Sequence, residues 1–314
     1  MKFQKIVFVL ILFNLQMFSQ KIFDKIIYVD SLGYETIKEK CKIYRVIEEY
    51  YKEKSIYNVK EYYASGKILK EGKTSAKDFL REEGEFIYYY ENGNKQSVQN
   101  YIKGNNVGKI FFWYENGNKK LEGECFEVKE QSSFSKLAIY QYWDSNNVQK
   151  VINGNGEYFN DDEDSFSSGF VKNGDKNGIW IGTDKKRKIT FKDNYENGVF
   201  IAGISIDSLK NEHSYKKIYT SPEPKKGINN FYKYITKKYN VSKRIFKEQL
   251  IILSFNVDKI GKLCDFEIVQ GINPESDNEA IRVVSEYDNW IPGEYRGIKM
   301  KFAHKIPIKV QPAK

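Results

Sequence analysis

Gly84-Glu-Phe-Ile-Tyr-Tyr-Tyr-Glu-Asn-Gly-Asn-Lys95 recurs 24 residues later as Gly108-Lys-Ile-Phe-Phe-Trp-Tyr-Glu-Asn-Gly-Asn-Lys119. Each copy is an aromatic run closed by Asn-Gly. Aromatic and β-branched side chains fit a pleated, half-buried surface. Asn-Gly between such runs is a strong hairpin signal, because the tight turn needs positive φ. A repeat of this length marks stacked supersecondary units, none of which buries its apolar face alone. Weaker copies flank the pair. Tyr62-Tyr-Ala-Ser-Gly-Lys67 precedes it, Tyr142-Trp-Asp-Ser-Asn-Asn147 comes after an insertion near Lys129–Ser135, and Tyr195-Glu-Asn-Gly198 comes last. A second element also recurs: Tyr101-Ile-Lys-Gly104 leads to Gly108, and Phe170-Val-Lys-Asn-Gly174 leads to Gly178-Ile-Trp180. The expected fold is therefore mainly β. An elongated antiparallel β-hairpin repeat sheet, with its repeat domain at 57–206, is followed by a small α+β domain at 227–314. Residues 21–56 join the repeats, and Ile43-Tyr-Arg-Val-Ile47 reads as a first strand. Thr220-Ser-Pro-Glu-Pro-Lys-Lys-Gly227 marks residues 207–226 as a linker.

Over residues 57–203 these short motifs resemble the MORN-variant repeats of the YwqK antitoxin-like family. The resemblance implies a β-repeat platform for interaction and no particular activity.

Composition agrees with strands: 24 Tyr and 21 Phe stand against 6 Pro in 314 residues. The net charge of +9 suits a weakly anionic partner or surface. Lys and Glu are interspersed rather than clustered, which argues against nucleic acid. Cys41, Cys125 and Cys264 are far apart and form no CxxC, so no structural zinc site is expected. At the start, Lys2 and Lys5 precede the apolar run Ile6–Phe13, and the polar residues Asn14 and Gln16 end that run. A spanning helix needs about 20 apolar residues. The segment reads as an export signal at 1–20, with cleavage near Ser19 or Gln20. The expected location is therefore outside the cytoplasm, peripheral to the membrane at most. The rival reading is an uncleaved anchor.

The end of the chain carries the second decisive pattern. Ile228, Phe231 and Ile235 stand at helical spacing over 227–239. Gln249–Val257 alternates as a strand, Asp258-Lys-Ile-Gly261 turns the chain, and Leu263–Gln270 returns. Ser276-Asp-Asn-Glu279 reads as a capping box in front of Ala280, Ile281 and Val284. Trp290-Ile-Pro-Gly293 forms a corner. A single last strand is then expected. Ile298, Met300, Phe302, Ile306, Ile308 and Val310 lie on one face, with Lys299, Lys301, Lys305 and Lys309 on the other.

This order resembles the TonB C-terminal domain over 227–311. The resemblance rests on Phe255, Val257 and Gly261 of the first strand and turn, on Ala280-Ile-Arg282 and on Trp290, Pro292 and Gly293. Ile306-Pro-Ile308 closes it. It implies a periplasmic binding or adaptor domain that pairs with an extended segment of an outer-membrane transporter beside its last strand. The candidate surface is Ile298, Lys299, Met300, Lys301, Phe302, Ala303, His304 and Lys305. Ser276, Glu279, Trp290, Pro292 and Gly293 serve the structure. Pro307 cannot donate to a ladder, so pairing should weaken from there. The same lysines and proline also suit an edge merely guarded against aggregation. Two departures bear on energy transduction: residues 1–20 hold no His, and 6 prolines make no long Pro-rich spacer. The alternative function is a structural or antitoxin-like interaction module built on the repeats, without energy transduction.

No catalytic set is expected. His213 and His304 are the only histidines. His304 falls on the apolar face of the last strand and His213 in a turn. Asp161-Asp-Glu-Asp164 lacks the spacing and glycine of an EF-hand loop and reads as a solvated loop. No cofactor and no metal are expected. The rows Tyr88–Tyr90 and Phe111–Tyr114 fit either a binding groove or cross-strand packing.

Overall fold

The computed structural model describes residues 24–31, 35–127, 135–240 and 247–311. The expected export signal at 1–20 and residues 129–134 of the insertion lie outside the described residues. The fold is mainly β, 56% strand against 10% helix, and carries a long antiparallel sheet. The chain divides into two compact units. One comprises residues up to 158 with 170–176, and the other 159–169 with 177–314. The division therefore falls inside the repeats, not at the expected linker.

In the first unit, four hairpins succeed one another: Tyr57–Tyr63 with Ile68–Thr74, Glu82–Tyr89 with Lys95–Ile102, Gly108–Trp113 with Lys119–Glu127, and Ser135–Trp143 with Gln149–Ile152. Their loops differ from the expected tight Asn-Gly turn. Tyr90 N–H donates to Asn94 O and Gly93 N–H to Tyr90 O, both at 2.9 Å, so three residues form the loop. Only the third has positive φ: Gly93 at 95°, Gly117 at 87°, and Asn147 at 61° in the place of glycine. Asn92 holds the loop through its side chain instead, accepting from Asn94 N–H at 2.9 Å. The extra residue produces a bulge beside each loop, at Tyr88/Tyr89 and again between Lys119 and Leu121.

The tyrosine before each loop explains the repeat length. Tyr63 Oη donates to Tyr89 O at 2.8 Å, Tyr90 Oη to Trp113 O at 2.9 Å, and Tyr114 Oη to Trp143 O at 2.8 Å. Each repeat thus satisfies a carbonyl at the rim of the next. Strands from the segment before the repeats also join the sheet: Lys25–Val29 pairs with Ile43–Ile47, which pairs with Tyr57–Tyr63. Ile27, Val29, Ile47, Tyr57, Val59 and Phe86 form one core there. Tyr88 and Tyr101 bond hydroxyl to hydroxyl at 2.9 Å, and Phe111 lies 6.3 Å from Trp113. The Tyr88–Tyr101 bond joins two strands, whereas Phe111 and Trp113 are neighbours on one face of a single strand.

In the second unit, the strand Asp175–Asp184 from residue 177 onward, Ile189–Glu196, Val199–Ile206 and Glu212–Tyr215 form an antiparallel meander, with pairing on the first strand from Gly178 onward. Residues 207–226 are not a linker. Glu212–Tyr215 belongs to that meander, Tyr219–Thr220 pairs with Glu294–Tyr295, and Glu223–Pro224 pairs with Trp290–Ile291. Proline is compatible here because two-stranded pairs leave an edge on which no N–H is required.

The rest of this unit is helix α1 (Ile228–Lys238), strands β1 (Gln249–Val257) and β2 (Leu263–Gln270), helix α2 (Pro274–Ser285) and strand β3 (Phe302–Val310). The sheet order is β2-β1-β3, all antiparallel. Phe231 and Ile235 of α1 and Ala280, Val283 and Val284 of α2 pack on Ile251, Leu253, Phe255, Ile306 and Ile308. The expected capping box is absent. Asn273 is the cap, its side chain accepting from Ser276 N–H at 3.0 Å, and Pro274 opens the helix. Proline at the first position has the helical φ already and lacks a donor that would go unused, so the helix starts earlier than Ser276. Ser276 is buried with its hydroxyl unpartnered, while Glu279 bonds Arg282 at 2.7 Å and accepts from Asn240 N–H at 2.9 Å.

A candidate strand-pairing edge

Strand β3 alternates as its side chains require. Ile306, Ile308 and Val310 are buried, while Ala303, Lys305, Pro307 and Lys309 are exposed. Its ladder to β1 runs without a register shift from Val257↔Phe302 to Gln249↔Val310, with Ile252 opposite Pro307. Proline has no N–H to give, so an unbroken ladder places its parity on the side turned away from β1. Ala303, Lys305 and Lys309 share that parity. Their N–H groups therefore point to the outer side of β3, as do the carbonyls of all four residues. Among the described residues no strand pairs with that side.

The eight residues expected to form the surface are not one strand. Ile298–Lys299 pairs with Glu294–Tyr295 across a two-residue turn, Arg296-Gly297. Both turn residues have positive φ, 51° and 78°. Met300 N–H donates to Gly293 O at 3.1 Å, and exposed Lys301 is an ion-pair partner of Asp265. The strand proper begins at Phe302, which packs edge-on against Tyr219 at 5.1 Å. The expected alternation runs straight through the break at Met300–Lys301, because the apolar and polar residues keep the same parity on both sides of it. The pairing surface is thus Ala303–Lys309. Five members of the expected set, Ile298 to Phe302, lie before it, and Pro307 and Lys309, outside that set, belong to it.

Arg296 holds this region to the meander. Its guanidinium reaches both carboxylate oxygens of Asp193, at 2.6 and 2.5 Å, and Tyr215 Oη at 2.8 Å. It also stacks 3.3 Å from the centre of the Phe191 ring. Its carbonyl accepts from Ser205 Oγ at 2.7 Å, and its N–H donates to Ile218 O at 2.7 Å. Tyr215 Oη bonds Asp193 as well. Arg296 is 8% exposed and Asp193 1%. A left-handed arginine costs about 1–2 kcal/mol, which these bonds offset. Nothing local to the sequence announces this pair, since the partners are 103 positions apart.

Trp290 is buried at 1% exposure, 5.3 Å from Phe231, 5.5 Å from Phe255 and 5.0 Å from His304. Pro292 comes next but one, and Gly293 is required by close approach: a Cβ there would lie 2.1 Å from the Phe302 ring. His213 bonds Asp207 at 3.0 Å, and Asp162 accepts from Ser165 N–H at 2.7 Å. Among the described residues no group of three or more His, Cys, Asp or Glu is placed to hold a metal ion, and no helix is long and apolar enough to cross a membrane.

No family model and no curated protein matches this chain.

Burial against Trp290 and Phe255 lowers the pKa of His304 beneath its ordinary 6.5. On acidification the unfolded chain binds this proton first. The stability contributed by neutral His304 is complete above pH 6.5 and is lost as pH falls through the window below it. His304→Phe is expected to remove that loss. Urea unfolding of both proteins from pH 7 to 5 should show the wild type falling relative to the variant, and parallel curves would contradict the assignment. The carboxylates with lowered pKa, Glu48, Asp162, Asp207, Asp258, Asp265 and Glu279, act at lower pH and are common to both proteins.

Proposed function

We propose that this chain is an exported, non-catalytic adaptor. Its C-terminal part, a small α+β domain of the TonB C-terminal kind, binds an extended segment of an outer-membrane transporter by strand addition. The observation that supports this is the outer edge of β3: three N–H groups and four carbonyls, on a strand held on one side only. The alternation of β3 keeps its apolar side chains in the core, so an added strand needs no unfolding of the acceptor. The repeats carry this edge in the same unit as their last strands, and Arg296 joins the two.

The test uses residues 21–314 and short peptides from transporter amino termini. Binding is expected to protect the amides of Ala303, Lys305 and Lys309 from hydrogen exchange. Lys305→Pro deletes one outward N–H without touching the ladder to β1, so the urea midpoint should hold while affinity falls at least tenfold. Unchanged affinity in Lys305→Pro, or protection confined to the repeats, would reject the edge as the site.

A further inference from the structure

We infer that the segment accepted by β3 is acidic, with carboxylates at two positions four residues apart and an apolar residue midway. This rests on the strand-addition reading above. The outward side chains of β3 read Ala303, Lys305, Pro307, Lys309, all exposed. Their neighbours on β1 are Asn256, Ser254, Ile252 and Leu250, none of them acidic. Lys301 has Asp265, but Lys305 and Lys309 have no ion-pair partner among the described residues. Side chains directly opposite in antiparallel strands come within about 4.5–5.5 Å at Cβ. A strand on the free side sets its own residues opposite Lys305 and Lys309, four apart. The residue between them faces Pro307, beside half-buried Ile252. Carboxylates meet the lysines, and an apolar side chain covers the proline.

A second copy of this chain is the competing occupant, and the same residues disfavour it. Antiparallel self-pairing about Pro307 places Lys305 opposite Lys309 of the second copy, twice, and like charges directly opposite are destabilising. It also sets proline against proline, where neither strand has an N–H to offer. In that register the edge disfavours a second copy, while its lysines admit acid.

Each exposed carboxylate–lysine pair is worth about two- to fivefold in affinity, so two give about tenfold at low salt. The advantage shrinks as ionic strength rises. The test titrates residues 21–314 with three peptides of equal length, with cores Glu-Thr-Val-Thr-Glu, Gln-Thr-Val-Thr-Gln and Lys-Thr-Val-Thr-Lys. The expected order is acidic, neutral, basic. In K305E/K309E the order reverses, and in K305Q/K309Q it flattens, with circular dichroism unchanged in both. Equal binding of all three peptides overturns the inference while leaving strand addition intact. Retention of the acidic preference in K305E/K309E overturns it too, by placing the preference elsewhere. Absence of binding by every peptide overturns strand addition and this inference with it, because main-chain pairing is common to the three.

Discussion

Arg296→Met is expected to destabilise the protein by about 3–5 kcal/mol, the cost of leaving a buried carboxylate without its cation. Asp193 is 1% exposed, and Arg296 supplies both of its charge-assisted bonds. Tyr215 remains as a donor, but a phenol does not neutralise the charge. The double variant Arg296→Met with Asp193→Asn should recover about 2 kcal/mol or more, since no buried charge then remains. Urea unfolding gives both values. A single variant costing less than about 1 kcal/mol would show that the pair is solvated in solution. The loss should be local in consequence as well: amide exchange should quicken at position 296, whose wild-type N–H bonds Ile218 O, and on Val199–Ile206, whose Ser205 donates to the carbonyl at that position.

Trp290→Ala is expected to cost a similar amount, about 3–5 kcal/mol, by emptying the place where α1 meets the sheet. Phe231, Phe255 and His304 all lie against this ring. Trp290→Phe should cost less than half as much. It retains most of the packing and removes an indole N–H that is buried without an acceptor. Thermal or urea unfolding separates the two. Equal losses would mean that the size of the ring matters less than the indole itself. Because His304 sits on β3, the Ala variant should also weaken peptide binding, whereas Arg296→Met should leave Ala303–Lys309 able to pair.

Much of the architecture could be read from local pattern. The 24-residue repeat, the alternation of β3 and the spacing of Phe231 and Ile235 each reflect forces that act within a few residues. The errors have equally local causes. Ser276 and Glu279 carry a capping signal, but Asn273-Pro274 stands closer to the start of the helix and takes the role. Asn92-Gly93 marks a hairpin correctly, while the loop type depends on Tyr90 pairing with Asn94 rather than with the residue before it. The prolines at 222 and 224 suggest a linker, yet Glu223–Pro224 pairs with Trp290–Ile291.

By itself the chain determined which segments become strands and helices and which faces they bury, because side-chain periodicity and turn chemistry are properties of neighbours. Only the tertiary structure decided that Ile298–Lys299 leaves the last strand, that Asp193 and Arg296 meet, and that the far side of β3 stays open. Those outcomes depend on which distant backbone donors and acceptors find each other first, and a main-chain amide is the same group at every position.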